Sequence, residues 1–76
     1  MYIQVIIIDF IYTKHALEKM DSLGIDKKEV ESAIKIGMKW KDDTRDIWYA
    51  NMSGIEVVFS KQKENIIIIT AYYSRG

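Results

Sequence analysis

Val30-Glu31-Ser32-Ala33-Ile34-Lys35-Ile36-Gly37-Met38-Lys39-Trp40-Lys41 is the stretch in which the chain changes its period, and the fold follows from that change. Before Gly37, Val30, Ala33 and Ile34 recur at helical steps, with Lys27, Glu31 and Lys35 spaced to pair on the solvent side. After Gly37 the apolar residues recur at about every second position. Met38–Lys41, Arg45–Met52, Ile55–Ser60 and Ile66–Tyr73 then read as successive strands. The turns between them fall at Asp42-Asp43-Thr44, Ser53-Gly54 and Lys61–Asn65, short enough to make antiparallel hairpins.

Upstream, Asp26 and Glu29 have the spacing of a capping box, and Ile25 is placed to staple onto Val30, so the second helix starts near Lys27. A first helix precedes it. Thr13 is its N-cap, Ala16, Leu17, Met20 and Leu23 form its apolar stripe, and Gly24 supplies the left-handed C-terminal position. The N-terminal stretch Met1–Asp9 lacks the basic residues and small-residue cleavage site of a signal peptide. It reads as a strand, free to add at the sheet edge or beside the last strand. The expected fold is α+β, in the order β-α-α-β-β-β-β, with two short helices packed on one face of a mostly antiparallel sheet.

Seventy-six residues suffice for one domain, 1–76, and not for two. Without cysteine there is no disulfide framework or thiolate metal site, and one histidine leaves too few ligands for a transition metal. No metal and no cofactor is expected, no apolar run approaches the roughly 20 residues of a membrane span, and a cytoplasmic location is expected. Eleven basic and eleven acidic residues balance to zero net charge, which excludes an electrostatic clamp for nucleic acid spread over the whole surface. The chain is 49% hydrophobic, and Ile55–Phe59 and Ile66–Tyr73 are apolar on both parities. Two helices cover one sheet face only, so the second face is expected to carry an interface, with Trp48 and Val58 on it, and a homodimer follows from that.

Few residues can carry chemistry. His15, the only histidine, stands near the start of the first helix with Lys19 four residues on, so both project from one face away from the apolar stripe. The imidazole suits general acid–base work and the ammonium suits a phosphate. The same histidine also fits a helix-start residue that bonds a strand carbonyl. Arg45 and Arg75 are the only arginines and their planar forks suit phosphate, although Arg45 lies among Asp42, Asp43 and Asp46 and can equally neutralise that turn. Tyr49 and Tyr73 are placed to offer phenolic hydroxyls from strands.

The run Thr13-Lys14-His15-Ala16-Leu17-Glu18-Lys19-Met20, then Leu23-Gly24-Ile25, Val30 and Gly37, and finally Thr70-Ala71-Tyr72-Tyr73, resembles the DUF4258 family. That family looks related to the RelE- and BrnT-like toxins of prokaryotic toxin–antitoxin pairs. It usually has arginine where this chain has Lys19, and often another where this chain has Leu23. The resemblance implies a RelE-like fold, an antitoxin protein as partner and RNA as substrate, cleaved by attack of the ribose 2′-hydroxyl on the adjacent phosphate. On that reading His15, Lys19 and Tyr73 are catalytic, and Arg45, Tyr49 and Arg75 bind substrate. The alternative is a non-catalytic homodimeric binding module.

Overall fold

The computed structural model describes residues 9–74. Two helices lie on a five-stranded sheet: β1 (Asp9–Tyr12), α1 (Lys14–Leu23), α2 (Lys27–Ile36), β2 (Met38–Lys41), β3 (Trp48–Met52), β4 (Ile55–Gln62) and β5 (Asn65–Tyr73). This is the expected α+β order. Residues 1–8 of the expected N-terminal strand lie outside the described residues, and the strand that is seen, β1, pairs parallel with β5. The sheet order is β1-β5-β4-β3-β2, antiparallel in every other pairing.

Local chemistry explains the helix ends. Thr13 is extended and its hydroxyl oxygen accepts from the Ala16 N–H at 3.1 Å, while its own N–H reaches the Ile68 carbonyl and its hydroxyl donates to the Ile69 carbonyl. One side chain thus caps α1 and ties it to β5. Gly24 takes the left-handed conformation at φ 71°, which a Cβ would disfavour. Asp26 and Glu29 complete the capping box, each accepting from the other's N–H. Gly37 ends α2 by a different device from Gly24. Its backbone is extended, and a Cβ there would lie 2.5 Å from the Ala33 carbonyl oxygen and 2.6 Å from that of Asn51. The glycine lets a helix run into an edge strand through one residue while β3 passes close by.

The core joins Ala16, Met20, Val30, Ala33 and Ile34 of the helices to Ala50, Val57, Phe59, Ile66, Ile68 and Ala71 of the sheet. Along β5 the buried residues step by two and then by three, because a bulge separates the pairs Val58–Thr70 and Phe59–Ile68 and leaves Ile69 as the extra residue. Neither strictly alternating set of β5 residues is therefore the inner one. Leu17, expected in the α1 stripe, is exposed, since α1 buries only Ala16 and Met20 fully.

Two expected boundaries move. β3 begins at Trp48 rather than Arg45, because Asp42 Oδ1 accepts from the N–H groups of Thr44 and Arg45 and from the Thr44 hydroxyl. Those donors are drawn out of any ladder. The last turn shrinks from Lys61–Asn65 to Lys63 and Glu64, with Lys63 at φ 55°, where neither glycine nor asparagine marks it.

The two glycines predict a measurable ranking. Gly24→Ala meets no atom within 4 Å and should lose only the ~1–2 kcal/mol of a left-handed alanine. Gly37→Ala must displace backbone and should lose more, read as the larger fall in urea midpoint. An equal or smaller loss for Gly37→Ala would contradict the close approach.

Candidate functional site

The sheet register decides which side chains share a face. Trp48 pairs with Phe59 and Tyr49 with Val58, so Trp48 faces the helices while Val58 faces the opposite, open side. The expectation of one exposed patch containing both is corrected. Trp48 stacks on Phe59 with ring centroids 6.4 Å apart, inside the core's margin. Val58 is only 9% exposed although no helix covers it, flanked by Tyr49 opposite on β3 and Thr70 on β5. The apolar surface that does remain exposed on the open face lies at the two sheet edges, at Ile11 on β1 and at Met38 and Trp40 on β2.

The residues expected to be catalytic do not converge. His15 and Lys19 are exposed on α1. Tyr73 donates its hydroxyl to the Leu23 carbonyl at the other end of that helix, 2.9 Å away. Leu23 is eight positions on from His15, about 12 Å along the axis at 1.5 Å per residue. Arg45 is taken up by the β2–β3 loop, where its guanidinium lies 3.5 Å from Asp42. Tyr49 stacks on Trp40 at 5.6 Å and points its hydroxyl toward the same aspartate. Arg75 lies outside the described residues.

What the fold does bring together is a set of lysines. A groove of about 620 Å³ opens where the C-terminal end of α2 overhangs the start of β1 and β5. Phe10, Ile34 and Ile66 give it an apolar lining, and Lys35 of α2, Lys39 of β2, Lys61 of β4 and Lys63 of the β4–β5 turn supply the charge. Glu64 is the one acid among the lining residues, beside Asn65. Among the described residues none of the four lysines is ion-paired, since the pairs found are Lys14–Glu18 and Arg45–Asp42. Two of them rest on aromatic faces. Lys61 Nζ is 4.2 Å from the centre of the Trp48 ring and Lys35 Nζ is 5.6 Å from that of Phe10. Such contacts are worth ~0.5–1 kcal/mol at exposed sites. They keep ammonium groups beside the groove.

Four lysines with no ion-pair partner among the described residues, of which Lys39 also donates to the Gly37 carbonyl at 2.9 Å, can hold a polyanion's phosphates around an apolar groove while its apolar parts contact the lining. Sequence reasoning missed this site. Lys39 and Lys41 are two apart and so share a strand face, but only the register shows that face to be the helix side, and Lys63 comes to the groove from the β4–β5 turn.

Elsewhere, tyrosine hydroxyls are tied to carboxylates. Tyr12 donates to Glu31 at 2.7 Å, and burial first, then that bond, pushes its phenol well above the ordinary value. Tyr72 donates to Glu56 on the open face and is pushed up to about 12, chiefly by burial. Both phenols are held in the protonated form near neutrality. No group of three or more His, Cys, Asp or Glu among the described residues is placed to hold a metal ion, and no described helix is long and apolar enough to cross a membrane.

The family model of a domain of unknown function, DUF4258, matches residues 12–73. The chain belongs to the DUF4258 family. The match begins one residue before Thr13 and ends with β5, so it spans the sheet–helix junction and all of the groove's charged residues. This DUF4258 chain also has the fold of a chain in the toxin–antitoxin complex RelBE2 from Mycobacterium tuberculosis, with a TM-score of 0.69 and 13% identity over 92% of this chain and 94% of that one. The RelE-like fold that the resemblance implied is thus found. No curated protein matches this DUF4258 sequence.

Asp42 predicts a pH effect. Hydrogen bonds from Thr44 first, then from Arg45 and its charge, hold the Asp42 carboxyl below its ordinary value in the folded chain. A carboxyl depressed on folding stabilises the fold above its unfolded value of about 3.9, and that contribution disappears as pH falls through the lower folded value. The stability advantage over Asp42→Asn should therefore be full at pH 6 and shrink below about pH 4. A difference constant over that range would contradict the loop's hydrogen-bond assignment.

Proposed function

We propose that this chain is the toxin-fold member of a toxin–antitoxin pair and that it engages RNA along the lysine groove. One observation carries the reading. In a chain of zero net charge, lysines from α2, β2, β4 and the β4–β5 turn surround one apolar groove with a single glutamate among them. Phosphates supply the counter-charge that those ammonium groups lack, and aromatic and aliphatic lining suits a single strand whose bases are unstacked. The fold shared with a chain of a toxin–antitoxin complex supports a protein partner of antitoxin type.

The reaction implied by the resemblance, 2′-hydroxyl attack on the adjacent phosphate with cleavage of the bond to the 5′-oxygen, needs cationic stabilisation of the equatorial oxygens, a proton acceptor for the hydroxyl and a proton donor for the leaving 5′-oxygen. The groove lysines are suited to the first role. His15 is the one imidazole for the second, and it stands on α1 outside the groove lining. RNA binding thus has more support than cleavage. The homodimeric module has less, because Trp48 and Val58 lie on opposite faces and Val58 is largely covered.

Binding of a single-stranded RNA, followed by fluorescence anisotropy, tests the reading. With four phosphates neutralised, the logarithm of affinity should fall against the logarithm of salt with a slope of about −2.8, and Lys39→Glu with Lys61→Glu should flatten it to about −1.4 while weakening binding roughly tenfold or more. Affinity unaffected by the double substitution would refute the groove. Because His15 stands outside the groove lining, His15→Ala should leave RNA affinity unchanged; a loss as large as that of the lysine double substitution would move the RNA site to the His15 face.

A further inference from the structure

β2 is an edge strand, and it is unlike the rest of the sheet. All four of its residues are exposed, and each is paired with β3 on one side only. Alternate residues of such a strand turn their N–H and C=O groups outward, a row of hydrogen-bonding groups with no protein partner among the described residues. The side chains divide by face. Lys39 and Lys41 lie opposite Ala50 and Trp48, on the helix side, where Lys35 and Lys61 add to their charge. Met38 and Trp40 lie opposite Asn51 and Tyr49, on the open side, 73% and 40% exposed. Trp40 is held flat by its stack on Tyr49, with 13° between the ring planes.

We propose that β2 is a docking edge for an extended segment of another protein in which acidic and apolar residues alternate, added as one more strand beside β2. Acidic side chains of that segment stand beside Lys39 and Lys41 on the helix face, and its apolar side chains cover Met38 and Trp40 on the open face. Backbone bonds to the edge give affinity, and the two faces give selectivity. The same charges argue against a second copy of this chain. Antiparallel pairing of β2 with its own copy places lysine beside lysine on the helix face, and like charges directly opposite across strands are destabilising. Edge lysines of this kind guard against self-pairing. Here they also specify a partner of opposite charge.

The proposal is separate from the RNA reading: it shares Lys39 and the nearby charge of Lys35 and Lys61 with the groove, and rests on the β2 backbone edge, Lys41, Met38 and Trp40, which the groove does not use. An eight-residue peptide alternating glutamate and valine is the probe, titrated into the isotope-labelled full chain. Backbone amide exchange within Met38–Lys41 should slow by about tenfold on saturation, while the same peptide N-methylated throughout, and one alternating lysine and valine, should leave it unchanged. In Lys39→Glu with Lys41→Glu, checked for an unchanged thermal melt, preference should reverse toward the lysine–valine peptide. Equal binding of the N-methylated peptide would overturn the proposal, since side-chain charge alone would then explain it. So would a single-stranded RNA that protects the same β2 amides to the same extent.

Discussion

The N–H and hydroxyl of Thr13 make three hydrogen bonds where β1 ends and α1 begins, beside the first helical bond from the Leu17 N–H to its carbonyl, and the placement of the helices on the sheet depends on them. Its N–H reaches Ile68, its hydroxyl donates to Ile69, and the same oxygen accepts from Ala16. Loss of an N-cap alone costs about 1 kcal/mol. This one also anchors the extra residue of the β5 bulge, so that Ile66 and Ile68 before it and Ala71 after it all face the helices. Pinned there, α1 packs on β5, and α2 returns across the sheet to bring Glu31 to Tyr12 and Lys35 to Phe10. The overhang of α2 above Phe10 and Ile66 is what opens the groove.

Charge in this molecule is arranged locally rather than globally. Acidic residues gather in the β2–β3 loop, where Asp42 serves as an acceptor for three neighbouring donors, and lysines gather at the end of α2 and on strands β2 and β4. A zero total therefore gives no net-charge field to draw in a polyanion and still leaves room for a basic site. Desolvation at an apolar lining strengthens each ammonium–phosphate contact relative to one in open water.

Much of the architecture was legible from residues alone. Thr13, Gly24 and the Asp26–Glu29 box announce helix ends through hydrogen bonds made within a few residues, and the period change at Gly37 marks the passage to sheet. What could not be read is long-range. The bulge at Ile69 depends on pairing with β4, and the side taken by Trp48 depends on its pairing with Phe59. The candidate site suffered most, because Lys35, Lys39, Lys61 and Lys63 come from separate stretches and meet only through that register. His15 and Lys19 drew attention by their spacing on one helix, and the structure leaves both exposed on α1 with no role for them in the groove.

The claim that the lysine groove, and not the His15 face, is where RNA lies can be tested residue by residue. A single-stranded RNA titrated into the isotope-labelled chain, followed by backbone amide and Trp48 indole shifts, reads both surfaces in one experiment. The account predicts the largest shifts at Phe10, Lys35, Lys39, Lys61, Lys63 and the Trp48 indole, with His15 and Lys19 unmoved. Shifts centred on His15 and Lys19, with the groove silent, would contradict it.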